Sequence, residues 1–210
     1  MLSIIQAAGW PIWPLIACSI LALALVVERF LALKTARVLP PQLLNEAVAV
    51  TQERLPAPEV VQQLSHNSAL GEVLASALTL LHRHPHTSEE DLRQAMESSG
   101  RAVAHRLERY LGALATIASA APLLGLLGTV IGMIEIFGSQ GGASAAQGGG
   151  NPGQLAHGIS IALYNTAFGL IVAIPTLIFW RYFRARVDGY LLSLELAAEQ
   201  FARHLSHLRK

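Results

Sequence analysis

The sequence predicts an all-α integral membrane protein: three transmembrane helices with long cytoplasmic helical extensions, the N-terminus outside and the C-terminus inside. Two observations carry this. All 15 Lys and Arg residues fall in two blocks, Arg29 to Arg109 and Arg181 to Lys210. Three apolar runs outside or between the blocks, Ala7 to Val27, Tyr110 to Ile134 and Leu155 to Trp180, contain no Asp, Glu, Lys or Arg. As a helix, each run can cross about 30 Å of hydrocarbon at about 1.5 Å per residue, and a helix is the open-chain form that satisfies its own backbone in lipid.

The first transmembrane helix is placed in residues 1–34. Trp10 and Trp13 lie near its outer end, where indole rings favour the headgroup region, and the Leu- and Ala-rich remainder reads as a lipid-facing helix. A cleaved signal peptide is the competing reading, but such peptides carry positive charge before the apolar stretch, and here Arg29, Lys34 and Arg37 follow it. Basic residues at span ends mark the cytoplasmic side. Arg101, Arg106 and Arg109 precede the second span and Arg181, Arg184 and Arg186 follow the third, which gives the N-out, C-in topology. Cys18, the single cysteine, sits inside the first span. An intrachain disulfide is therefore excluded, and a small buried apolar role is expected.

Residues 35–108 are read as a cytoplasmic helical segment. Leu43, Leu44, Ala47 and Val48 form one apolar face, interrupted by Pro56 and Pro58. Leu70, Val73, Leu74, Ala77, Leu78 and Leu81 form a second, ended by His84-Pro85-His86. A third helix starts at Ser88, a good N-cap, with Glu89, Glu90 and Asp91 in its first turn, where carboxylates complement the helix dipole. From there Leu92, Ala95, Met96, Val103, Leu107 and Tyr110 predict one unbroken helix running into the second span, about 70 Å in all. His82, His84 and His86 flank a proline in a polar loop and lack a second ligand cluster, so they read as a solvated turn; neither a metal nor a cofactor is expected. With a net charge of only +1, nothing suggests a nucleic-acid surface.

The second transmembrane helix is expected at 109–137, a Gly-rich periplasmic loop at 138–154, the third transmembrane helix at 155–180 and a cytoplasmic helix at 181–210. In the last, Val187, Leu191, Leu194, Ala198, Phe201, Leu205 and Leu208 alternate steps of four and three, a stripe that packs against another helix of this chain or of another subunit.

The second and third spans differ in kind from the first. Ala121, Gly125, Gly128 and Gly132 line one side of the second; Gly158, Ala162, Thr166, Gly169 and Ala173 line one side of the third. Small residues at such spacing let helix backbones approach closely. Packing accounts less well for the polar groups Thr129, Ser160, Tyr164, Asn165 and Thr166. A threonine can return its hydroxyl to the preceding turn, but an asparagine has no such cheap shelter for its amide. Together they suggest a seam or lumen where something polar passes or docks. A proton path needs a titratable group at depth, and the candidates, Glu135 and His157, both lie near the outer boundary. Two readings stay open for Glu135, plain solvation at the span's end or service in a path. If protons cross, the central carboxylate must come from another polypeptide. No span holds a nucleophile with a base or a metal-ligand set, so an enzyme is not expected.

The segments Ala121 to Gly132, APLLGLLGTVIG, and Gly158 to Pro175, GISIALYNTAFGLIVAIP, resemble the paired membrane signature of the ExbB/TolQ/MotA proton-channel family, most nearly its ExbB and TolQ branch. The resemblance covers nearly the whole chain and implies a subunit of an inner-membrane motor driven by the proton motive force. It implies a homo-oligomer, a pentamer in relatives, whose second and third spans line a lumen holding a dimer of an ExbD- or TolR-like single-span partner with a membrane Asp. Thr129 matches the Thr of the family's GT pair and Thr166 the Thr of its ATA segment, both lumen-facing. One departure is that Ile161 stands where ExbB and TolQ carry Glu in G-I-A-E-A-L; Asn165 and Glu135 are the residues placed to compensate. The missing Glu leaves an alternative, a non-conducting oligomeric scaffold for a single-span partner. Flagellar MotA-type stators have four spans, which disfavours that role.

Overall fold

The computed structural model describes residues 10–53, 55–141 and 152–207, and among them it is helical with no strand. The helices are α1 (Ile12–Ala32), α2 (Thr35–Val38), α3 (Leu43–Glu53), α4 (Pro58–Asn67), α5 (Ala69–Arg83), α6 (Glu89–Glu108), α7 (Leu111–Gly141) and α8 (Pro152–His207). Three apolar helices, α1, α7 and the N-terminal part of α8, are long enough to cross a membrane. The chain divides into two compact units, an apolar one of Met1–Glu28 with Tyr110–Arg181 and a polar one of Arg29–Arg109 with Tyr182–Lys210. The start of the first expected span, Ala7 to Gly9, and most of the expected Gly-rich loop lie outside the described residues.

The apolar unit has a thin core. Leu15 and Ala22 of α1 meet Ile117 and Ala121 of α7 and Val172 and Ala173 of α8, with Cys18, Leu25, Leu124 and Phe168 packed around them. α1 therefore has a packed face as well as the exposed one expected of it. Large residues of this unit mostly point outward: Leu23 of α1, Leu123 of α7, and Leu163 and Ile171 of α8 are each more than 60 % exposed. A water-soluble unit would hide such side chains, and a unit solvated by hydrocarbon has no need to. α7 and α8 continue through Pro122 and Pro175, as membrane helices tolerate.

The polar unit follows the opposite rule. All six positions read as one face of α5, Leu70 to Leu81, are at most 3 % exposed. α5 packs against α6, and Leu92, Met96 and Val103 of α6 and Phe183, Val187, Leu194, Phe201 and Leu205 of α8 are buried in the same unit. The C-terminal stripe thus packs inside its own chain; Leu208 lies outside the described residues. Burial of each such large side chain contributes about 1.5–3 kcal/mol. Helix starts are fixed by hydroxyls. Ser68 accepts from the Gly71 amide at 3.0 Å. Ser88 accepts from the Asp91 amide at 3.1 Å while the Ser88 amide donates to Asp91 Oδ2 at 3.2 Å, a reciprocal box. Pro58 opens α4 at a position that lacks a helical partner anyway. His82 Nε2 lies 2.8 Å from the Pro56 carbonyl, tying the proline turn to α5.

One expectation fails here. The helix read as continuous from Ser88 into the second span is broken: Arg109 leaves it at ψ 138 and Tyr110 takes φ 65, a left-handed conformation costly for a bulky residue. At this end the Leu107 carbonyl accepts from Nη1 of Arg29 at 3.1 Å. Arg29 is only 3 % exposed. A cation buried at the C-terminal end of a helix meets the negative end of its dipole and carbonyls that lack helical partners, so Arg29 caps α6.

Two outcomes follow for the polar unit. A Cβ at Gly71 would lie 2.2 Å from the Leu64 carbonyl oxygen, a backbone atom. Gly71→Ala should therefore lower stability by about 1–3 kcal/mol in thermal or chemical unfolding. The hydrogen bonds from the Ser88 side chain and backbone hold the Asp91 carboxyl below its ordinary range. Its contribution is complete above that range and is lost as the pH falls through the lowered value, so Asp91→Asn should flatten this acid limb of the melting profile.

Candidate functional site

The candidate site is the line along which α7 and α8 touch inside the apolar unit. Its geometry is set by missing side chains. A Cβ on Gly169 would stand 2.6 Å from the Ala121 carbonyl oxygen and 3.2 Å from Gly125 Cα. One on Gly125 would stand 2.8 Å from the Asn165 carbonyl oxygen and 3.0 Å from Thr166 Cα. The backbones are in contact at this level. Gly132 is looser, its Cβ position 3.3 Å from that of Ala162.

Asn165 occupies the space that Gly128 leaves open: a Cβ at 128 would lie 2.8 Å from Asn165 Cβ and 2.9 Å from its Cγ and Nδ2. The asparagine is 2 % exposed, one of few polar side chains buried in this unit. Thr166, beside it, donates across the helix pair to the Gly125 carbonyl at 3.2 Å. That bond is the polar counterpart of the glycine contact, since only a close approach brings a side chain of α8 to a backbone oxygen of α7.

The remaining residues are not gathered here. Thr129 follows Gly128 but is partly exposed, and its hydroxyl returns to the Leu126 carbonyl at 2.6 Å on its own helix. Ser160 is exposed and donates to the Ala156 carbonyl at 2.9 Å. Glu135 is exposed near the far end of α7. The side chains of His157 and Ile161, and the surroundings of Gly158, lie outside the described residues. One further polar residue, Thr176, is 3 % exposed and donates to the Val172 carbonyl at 2.7 Å. Sequence reading passed over it, because a threonine that bonds its own helix gives no separate signal.

The arrangement places neutral hydrogen-bonding groups where the charge-free runs Tyr110 to Ile134 and Leu155 to Trp180 touch. It can position a polar or ionised group from another chain, and among the described residues no Asp, Glu, Lys, Arg or His lines the contact around Gly125, Gly128 and Gly169.

A helical chain with three such apolar helices is a multi-pass membrane protein. Residues 65–196 match the MotA/TolQ/ExbB proton channel family, and the chain belongs to it. It is 34% identical over 199 residues to the biopolymer transport protein ExbB-like 3 of Synechocystis sp., covering 93% of this chain and 89% of the relative. It is 32% identical over 173 residues to the biopolymer transport protein exbB1 of Vibrio cholerae, covering 81% and 73%. A second Synechocystis protein, ExbB-like 1, is 37% identical over 177 residues, covering 82% and 66%.

Because the obstructing atoms at Gly169 and Gly125 are backbone, Gly169→Ala and Gly125→Ala should each destabilise the apolar unit by about 1–3 kcal/mol in detergent unfolding. Gly132→Ala, facing a side-chain methyl, should cost distinctly less.

Proposed function

We propose that this chain is the ExbB-type subunit of a motor in the bacterial inner membrane that couples proton flow to transport or envelope work. In this reading its N-terminus is outside, several copies, a pentamer by family resemblance, surround a lumen lined by α7 and α8, and an ExbD- or TolR-like single-span partner stands within it. The observation that carries the reading is the seam itself: Asn165 and Thr166 supply polar groups between the runs Tyr110 to Ile134 and Leu155 to Trp180, which contain no Asp, Glu, Lys or Arg. A proton carrier at that depth must then be supplied by another helix, and an acidic single-span partner supplies it. Family membership and the ExbB names of the relatives support the same assignment.

The homo-oligomer is supported by a second feature. Leu192 and Leu196, one turn apart on α8 in the polar unit, are each 58 % exposed. Facing away from the stripe buried within the chain, they offer an apolar face to a second copy. Work is available in the right range: one charge crossing 100 mV yields about 2.3 kcal/mol, so a few protons suffice to rearrange helix contacts.

The scaffold alternative rests on Ile161, where the ExbB and TolQ pattern has Glu. Thr129→Ala and Thr166→Ala separate the readings. As a motor, each variant loses proton-driven work by about tenfold or more, the scale of one lost charge-assisted hydrogen bond, while co-purification with its single-span partner persists. Unchanged proton flux in vesicles holding both proteins would make it a scaffold.

A further inference from the structure

Several arginines of the polar unit have carboxylate partners. Arg93 pairs with Glu89 and Glu199, Arg101 with Glu97, Arg106 with Glu72, Arg184 with Glu108 and Asp188, and Arg203 with Glu199. Arg186 does not. Its guanidinium is held by three hydroxyl oxygens: Nε donates to Tyr190 at 2.9 Å, Nη1 to Tyr182 at 2.7 Å and Nη2 to Thr35 at 3.2 Å. Tyr190 donates its own proton to the Leu33 carbonyl at 2.9 Å, so it meets Arg186 and the Thr35 hydroxyl, 3.0 Å away, as an acceptor. The guanidinium carbon also lies 6.0 Å and 5.7 Å from the Tyr182 and Tyr190 ring centroids.

Such a cradle fixes the fork without neutralising it. Hydroxyl dipoles and ring faces stabilise the cation, and the bonds to Tyr190 and Tyr182 raise its pKa further, yet the full positive charge remains. Of the N–H groups of a guanidinium, those not engaged by the hydroxyls stay available to an anion. Lys34 and Arg37, on either side of Thr35, are exposed and have no carboxylate partner among the described residues. Beside them Phe30, Leu31 and Tyr182 are 45 %, 51 % and 45 % exposed, an apolar rim. Both segments of the corner follow on apolar runs, one ending at Val27 and the other at Trp180. In a multi-pass membrane protein that is the depth of the lipid phosphates.

We propose that the Arg186, Tyr182, Tyr190 and Thr35 corner, with Lys34 and Arg37, binds the phosphate of an anionic lipid headgroup. The immobilised fork matches phosphate geometry, the two flanking cations add affinity for net negative charge, and the apolar rim accepts the start of an acyl chain. This site lies outside the α7 and α8 seam and does not depend on the proton-motor reading.

The test is the melting temperature of the full-length chain in neutral detergent, titrated with phosphatidylglycerol, phosphatidylcholine or inorganic phosphate. Phosphatidylglycerol should raise it saturably and phosphatidylcholine much less. In Arg186→Gln the half-saturating concentration should rise by about tenfold, whatever happens to the starting melting temperature. Arg203→Gln, which removes a cation paired with Glu199, should respond like the unaltered chain. Should Arg186→Gln fail to fold, the double variant Lys34→Gln with Arg37→Gln leaves the hydroxyl cradle in place and should bind several-fold more weakly. An undiminished phosphatidylglycerol response in these variants, or an equal response to phosphatidylcholine, overturns the site and leaves Arg186 a purely structural tie. If inorganic phosphate alone reproduces the stabilisation, the anion site stands and its lipid source is overturned.

Discussion

Backbone contact between α7 and α8 is the constraint on which the apolar unit depends. Gly125 and Gly169 remove the carbon atoms that would hold the helices apart. Only then can Thr166 reach the Gly125 carbonyl and Asn165 fill the gap over Gly128. In hydrocarbon the hydrophobic effect does not press helices together, so shape fit and interhelical hydrogen bonds supply the attraction. The same residues that hold the pair also fix where its polarity lies. Structure and candidate function are therefore one set of contacts.

The two units answer to different solvents. The polar unit sequesters a layer of Leu, Val, Met and Phe and pairs several of its surface arginines with carboxylates. Exposed pairs of that sort contribute little individually, about 0–1 kcal/mol, so its stability rests on the buried layer and the capped helix starts. The apolar unit leaves large side chains outside and keeps small ones within. α8 contributes to both units, and its composition changes accordingly, from Gly, Ala and Thr on its packed face before Pro175 to Phe, Val, Tyr and Leu after Arg181.

Much of this was legible in the residues. Strict spacing located the buried face of α5, and Ser88 with Asp91 announced the start of α6, because both signals are local and strong. The break at Tyr110 was not legible: Leu107 to Leu111 contains no Gly, Pro or Asn, and the helix ends where the buried Arg29, distant in sequence, takes the Leu107 carbonyl. α4 was missed because Pro56 and Pro58 read as interruptions, whereas Pro58 serves as a first-turn residue. In the seam, small residues and polar residues were each visible, but the register that seats Asn165 on Gly128 rather than on Gly132 is a property of two helices and cannot be read from either alone.

That seating makes one position answer to another. A methyl at 128 would strike Cβ, Cγ and Nδ2 of Asn165, so the amide can be held here only opposite a glycine, whereas the glycine, shared with the family's GT pair, does not require the amide. Related sequences with asparagine at 165 should accordingly keep glycine at 128, while glycine at 128 should occur with or without the asparagine.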